Sequence, residues 1–277
     1  MIDLHLHTTA SDGRLTPTEL VAHATASGVR ILAVTDHDTT DGFDEAAVEA
    51  ARLDVLAIPG IEITAVERGR DVHMLAYFFD RREAAFSQFL AAQRVTRLTR
   101  IAEMATRLDA LGMPVDVHTL LDEARRDTGK SIGRPRLARA MIDAGYVETT
   151  REAFDQWLGQ GRPAYVERAG APSEHVIEIV HGAGGIVSLA HPGRTQLDER
   201  IPALRDAGLD AIEVYHSDHD VEKTASYLDL ARKLDLLITG GSDFHGEPAH
   251  GIEPGASSLP EPEWRRLLDA RGLHGGR

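Results

Sequence analysis

Short apolar runs and amphipathic helical stretches alternate along most of this chain. IDLHL (2–6), RILAVTDHD (30–38), VLAIPGIEIT (55–64) and DVHMLAYFF (71–79) read as strands. GIVSLAHPG (185–193), DAIEVYHSD (210–218) and LLITGGSDFHG (236–246) follow later, each after a helix of about three turns. Repeated αβ alternation implies a parallel sheet covered by helices. Seven strands suit a closed or distorted (β/α)7 barrel, an α/β fold, better than an open sheet. A doubly wound sheet usually carries a glycine-rich phosphate loop after its first strand, and that place holds HLHTTASDG. Thr16-Pro17-Thr18-Glu19 reads as a capping box that starts a helix, which Gly28 ends. Thr40 or Asp41 is expected to cap a second helix, running to about Leu53.

The rhythm breaks between residues 81 and 162. Leu98, Ile101, Met104, Leu108 and Leu111 keep helical spacing until Gly112-Met113-Pro114 stops them. VHTLLDEARR and RPRLARAMIDAGY read as two further helices. The expectation is a discontinuous barrel, residues 1–80 and 163–277, carrying a helical insert or cap at 81–162. The terminal RGLHGGR has little that can pack and is expected to fray.

Composition narrows the chemistry. There is no cysteine, so disulfides are excluded and a metal site must use His and carboxylates. The net charge of −14 argues against non-specific binding to duplex DNA. It does not exclude a small anionic substrate, because bound cations can make a site locally positive. No run of about 18 apolar residues suggests a membrane span. MIDLHLH lacks the basic segment and apolar run of a signal peptide, so a cytoplasmic location is expected.

His and carboxylate side chains sit at or near almost every strand end. His5 and His7 are two apart, so a strand points both to one side. Asp12 follows, and the second strand ends in Thr35-Asp36-His37-Asp38. Glu62, His73, His191, Glu213, His216, Asp243 and His245 recur on the later runs. The ends of barrel strands are where active sites are built. A lone histidine is usually a satisfied core or surface residue, and His23, His118, His175, His181, His219, His250 and His274 keep that reading. Seven histidines at strand positions do not arise independently, and their burial with carboxylates would be costly without cations.

HLHTTASDG, TDHD, GIE, AHP and GSDFHG, in this order and spacing, resemble the motifs of the PHP (polymerase and histidinol phosphatase) superfamily. The resemblance implies a distorted (β/α)7 barrel with two or three divalent metals. It implies a first metal on His5, His7, Glu62 and Asp243. A second would share Glu62 and use His73 and His191. A third would use Asp12, His37 and His245. The insert makes the chain look most like stand-alone bacterial phosphoesterases acting on nucleoside 3′,5′-bisphosphates and on short RNA from the 5′ end. Amidohydrolases share the HxH opening, but many bridge two metals with a lysine at a strand end. Lys130, Lys223 and Lys233 all lie elsewhere.

His and carboxylate ligands suit Mn²⁺, the first expectation, and also Fe²⁺ or Zn²⁺. The implied reaction is hydrolysis of a phosphate ester by water that the metals acidify. His216, Asp36 or His191 would protonate the leaving oxygen, His216 first because no metal claims it; it is also a candidate to bind substrate. Arg134 and Arg194 are candidates to grip phosphate through a bidentate fork. Arg94, Arg97 and Arg100 read as a solvated helix face. The alternatives are a histidinol-phosphate phosphatase and a non-catalytic metal-binding module that serves a partner protein.

Overall fold

A computed structural model describes residues 1–127, 129–246 and 251–272. Seven strands form one sheet: β1 (Ile2–Leu6), β2 (Ile31–Val34), β3 (Leu56–Glu67), β4 (Arg70–Tyr77), β5 (Ile186–Leu189), β6 (Ala211–His216) and β7 (Leu237–Gly241). They hydrogen-bond in chain order. A parallel bridge between Leu6 and Phe244 brings the chain beyond β7 back to β1, so the barrel is nearly closed. Gly241 permits that approach, since a Cβ there would stand 2.4 Å from the His5 backbone nitrogen.

Two pairings depart from the all-parallel sheet that the alternation implies. β3–β4 and β4–β5 are antiparallel, and the other four are parallel. No helix separates β3 from β4. Arg68 and Gly69, with φ of +50° and +76°, make a two-residue hairpin turn, so β4 runs back beside β3. Residues Leu56–Pro59 of β3 pair with β2, and Gly60–Glu67 pair with β4.

Helix α1 (Pro17–Ala26) opens with both bonds of the Thr16–Glu19 capping box. Helix α2 (Phe43–Arg52) starts later than expected, with Gly42 as its N-cap and no side-chain cap bond. The turn before it is occupied otherwise: Asp41 N–H donates to Thr39 Oγ1, and the Thr39 hydroxyl donates to Gly129 O. Both helices pack Leu20, Val21 and Ala46 against Leu6 and Leu32.

Residues 84–158 hold α3 (Ala84–Ala110), α4 (His118–Arg126), α5 (Arg134–Asp143) and α6 (Thr150–Ala153), the last running into a π-helical turn at Phe154–Leu158. No strand lies among the described residues of 81–162. Ile101, Met104, Leu108, Leu137, Met141 and Leu158 form a hydrophobic cluster distinct from the barrel's own. Burying each such side chain contributes about 1.5–3 kcal/mol. Helix α3 begins well before the Leu98 pattern. Its buried stripe there contains Gln93, Arg97 and Arg100, so apolar spacing does not reveal it.

Five helices complete the barrel: α7 (Ser173–Gly182), α8 (Pro192–Thr195), α9 (Ile201–Asp206), α10 (Val221–Leu234) and α11 (Glu261–Ala270). Lys223 and Lys233 lie on α10. His250, His274 and most of the RGLHGGR tail (273–277) are outside the described residues. No helix among those described is long and apolar enough to cross a membrane.

Candidate active site

All nine expected metal-binding side chains converge at one end of the barrel. His5 lies on β1 and His7 just beyond it, with ring centroids 5.2 Å apart and both rings fully buried. Asp12 follows in the next loop, His37 comes after β2, and a parallel bridge sets His37 beside Glu62 of β3. His73 comes early in its strand. Because β4 runs antiparallel, its early end lies at the same rim as the late ends of the parallel strands. His191 follows β5, and Asp243 and His245 follow β7.

Glu62 is the hub. Its Oε2 lies 3.3 Å from His5 Nε2, 3.2 Å from His7 Nε2 and 3.1 Å from His37 Nδ1. Its Oε1 lies 2.7 Å from His73 Nδ1 and 3.0 Å from His191 Nε2. Asp243 Oδ1 is 3.2 Å from the Nε2 atoms of both His5 and His7. Asp12 reaches His245 Nε2 at 3.4 Å, His37 Nε2 at 3.6 Å and His7 Nδ1 at 3.7 Å. The donors form overlapping groups with the geometry to hold several ions: His5, His7, Glu62 and Asp243; His37, Glu62 and His73; His7, Asp12, His37 and His245. His37 therefore faces two groups through its two nitrogens, where the sequence assigned it to one.

The residues fit divalent cations. Buried His5 Nε2, both ring nitrogens of His7, His37 Nδ1, His191 Nδ1 and Glu62 Oε2 have no hydrogen-bond partner among the described residues. Such orphaned atoms cost free energy unless something satisfies them. Burial alone would push the Glu62 carboxyl up, but His37, His73 and His5 hold it well below the usual range. Burial likewise opposes protonation of His7, yet Asp243 and Glu62 raise it to about 10. Burial lowers His191 to about 4, beyond what its Glu62 contact restores. The pocket thus holds ionised carboxylates among imidazoles. His191 and Asp243 also have left-handed φ of +27° and +57°, a strain of about 1–3 kcal/mol each that aims their side chains inward.

A supporting layer surrounds these donors. Glu213, fully buried on β6, places Oε1 2.9 Å from His5 Nδ1 and accepts the His191 backbone N–H at 2.8 Å. The sequence located Glu213 on the rim without giving it this task. A charged residue in an otherwise apolar strand was the available signal. His219 accepts the Gly193 N–H at 3.2 Å and faces Val214 O through Nδ1 at 2.9 Å, so it is a satisfied core histidine, as expected.

Of the three expected proton donors, His191 alone lines the cavity. Asp36 is sunk beneath it. Its carboxylate accepts from Thr8 N–H at 2.8 Å, the Thr8 hydroxyl at 2.6 Å and the Ser11 hydroxyl at 2.6 Å, which holds the loop carrying Asp12. His216 stands behind Asp243, with Nε2 3.4 Å from Oδ2 and Nδ1 accepting the Asp218 N–H at 3.0 Å. That acceptance puts the ring proton on Nε2, facing Asp243. Both residues orient neighbours, and neither faces substrate space.

The cavity beside the donors measures about 190 Å³. Its far wall is cationic. Arg97 and Arg100 of α3 are buried, which corrects their reading as a solvated face. Asp38 Oδ2 accepts from Arg97 Nε at 2.5 Å and Arg168 Nη2 at 3.0 Å. Asp71 Oδ2 accepts from Arg100 Nη1 and Arg134 Nη2, each at 2.9 Å. Four guanidiniums thus face two carboxylates, an excess of two positive charges. Arg100 Nη2 and Arg168 Nε find no partner among the described residues. Arg194 lies on the opposite side, 3.1 Å from Asp243 Oδ2. A larger groove of about 770 Å³ continues outward past Phe154, Arg194 and His245 to Arg151, Ser217 and Ile252.

The PHP domain model matches residues 3–158. The chain belongs to the PHP domain family. Its relatives include a 3′,5′-nucleoside bisphosphate phosphatase of Chromobacterium violaceum, 35% identical over 96% of each chain. A 5′-3′ exoribonuclease of Haemophilus influenzae is also 35% identical, over 88% of this chain and 89% of the relative. A crystal structure from Bifidobacterium adolescentis, named as a candidate metal-dependent phosphoesterase, superposes with a TM-score of 0.88 at 35% identity, covering 98% of this chain and 96% of that one. This PHP protein is a metal-dependent phosphoesterase.

Proposed function

We propose that the chain hydrolyses the 3′-phosphate of nucleoside 3′,5′-bisphosphates. The observation that carries this reading is the arginine wall across the cavity from the metal donors. A single phosphomonoester needs only the donor side. A surplus of two positive charges lining the same cavity suits a second phosphate on the same small molecule. The bisphosphate phosphatase named among the relatives supports the same choice. Histidinol phosphate fits poorly, because its ammonium would meet that wall.

In this reading His5, His7, Asp12, His37, Glu62, His73, His191, Asp243 and His245 hold two or three divalent ions, with Mn²⁺ the first candidate. When bound, such ions polarise phosphoryl oxygens and acidify water for attack at phosphorus. Arg134, Arg97, Arg100 and Arg168 grip the phosphate that is not cleaved. Arg194 steadies the reacting phosphate. Helices α3 to α6 act as a cap that carries part of the cationic wall. The outer groove favours a second substrate, short RNA degraded from its 5′ end, since it leaves room for a chain on the far side of the reacting phosphate.

The test is a panel of phosphate esters assayed with Mn²⁺. Nucleoside 3′,5′-bisphosphates should give the highest kcat/KM and release the 3′-phosphate. Faster turnover of histidinol phosphate would move the assignment there. Activity that survives complete removal of divalent ions would falsify the metal-dependent reading.

A further inference from the structure

The insert touches the rim at a second place, away from the arginine wall. Thr39 donates its hydroxyl to Gly129 O at 2.6 Å. Ser131 N–H donates to Ala10 O at 2.9 Å. Arg139 Nη2 donates to Asp12 O at 2.5 Å. Thr39 stands two residues after His37, and Ala10 shares the loop of Asp12. The insert therefore holds the Asp12 loop and touches the segment after His37, whose own place beside Glu62 is fixed by the barrel: Asp38 N–H donates to Glu62 O at 2.9 Å and Glu62 N–H to Asp36 O at 3.3 Å.

The inner donors are held differently. His5, Glu62 and His73 lie within barrel strands. The Asp243 N–H donates to His5 O at 2.9 Å, and the His191 N–H to Glu213. The outer group has a single carboxylate, Asp12, where the group of His5 and His7 has two, Glu62 and Asp243. A site on two loops with one carboxylate depends on prior ordering of those loops.

We infer that Thr39 and Arg139 are positioning residues for the outermost ion alone, the one between Asp12, His37 and His245, and that docking of the insert sets its occupancy. The inference rests on the metal reading above. A substrate phosphate pulling on Arg97 or Arg134 acts on the same insert, so substrate binding and occupancy of the outer ion are coupled, reciprocally.

The experiment measures Mn²⁺ stoichiometry and isotherms, by elemental analysis and calorimetry, on the full chain. Asp12→Ala should lose one ion. Thr39→Val and Arg139→Leu should weaken one ion by about 10- to 100-fold, as loss of an outer supporting contact does. The other ions, whose donors the barrel holds, should keep close to their wild-type affinities. Added to Asp12→Ala, neither change should have a further effect. Thr39→Ser should restore the wild-type isotherm, which a general loss of folding would not allow. Unchanged isotherms, equal weakening of every ion, or further loss in the Asp12→Ala background overturn the inference while leaving the metal reading intact. A wild type that binds no divalent ion overturns both.

Discussion

Glu213 Oε1 lies 2.9 Å from His5 Nδ1, with both side chains fully buried. The contact fixes the His5 proton on Nδ1 and leaves Nε2 to face Glu62 and Asp243. Carboxylate–imidazole pairs of this kind orient a ligand and raise its basicity. Glu213→Gln keeps the shape and removes the charge. It should weaken Mn²⁺ binding by about 10- to 100-fold, with much of the lost activity recovered at high Mn²⁺. A variant that is half-activated at the wild-type Mn²⁺ concentration would show that the contact serves packing alone.

Glu62 and Asp12 should differ in how many ions they control. Glu62 approaches five imidazoles through two oxygens, whereas Asp12 serves only the outer group. Glu62→Gln should therefore release at least two ions and abolish turnover. Asp12→Asn should release one and leave residual turnover. Elemental analysis of desalted protein measures this, and equal losses in the two variants would contradict the hub role.

Most of the donors were legible because they stand on or just past short apolar runs, which the sequence marks as strands. His73 was the exception in position, and the antiparallel course of β4 accounts for it. One arginine of the wall, Arg134, was legible as a phosphate grip, whereas Arg97 and Arg100 occupy a helix stripe that looks polar until Asp38 and Asp71 arrive from the barrel. Arg168 follows no periodic element, so only tertiary contact reveals it. The antiparallel pairs were missed because a two-residue turn at Arg68-Gly69 leaves no helix between β3 and β4.

The Asp71 pair carries a pH signature. Burial raises the Asp71 carboxyl, but Arg134 and Arg100 outweigh it and bring it down to about 2 from 3.8. A depressed carboxyl stabilises the fold above its unfolded value and loses that contribution as pH falls through its folded value. The window is therefore about pH 4 down to pH 2. Against Asp71→Asn, the wild type should hold an advantage of about 2 kcal/mol at pH 6, with roughly half of it gone by pH 3. Urea unfolding of both proteins at pH 6, 4 and 3 reads the difference. A gap that stays constant with pH would mean the pair is not ionic in origin.

Arg134 and Arg194 should separate on two substrates. Arg134 stands on the wall away from the donors, held by Asp71 at 2.9 Å and lying over Phe154 at 5.3 Å. Arg194 instead lies 3.1 Å from Asp243 Oδ2, on the side where the proposed function puts the reacting phosphate. Losing one charge-assisted contact to phosphate costs about 1.5–3 kcal/mol, or roughly one to two decades in kcat/KM. Arg134→Ala should lower kcat/KM by that amount on a nucleoside 3′,5′-bisphosphate and much less on a minimal aryl phosphate, which has no second phosphate to lose. Arg194→Ala should depress both substrates alike. The pair of ratios is diagnostic. If Arg134→Ala damages both substrates equally, the wall serves the fold or the cleaved phosphate, and recognition of a second phosphate must be abandoned. If Arg194→Ala spares the aryl phosphate, that arginine belongs with the wall and the reacting phosphate depends on the metal donors alone.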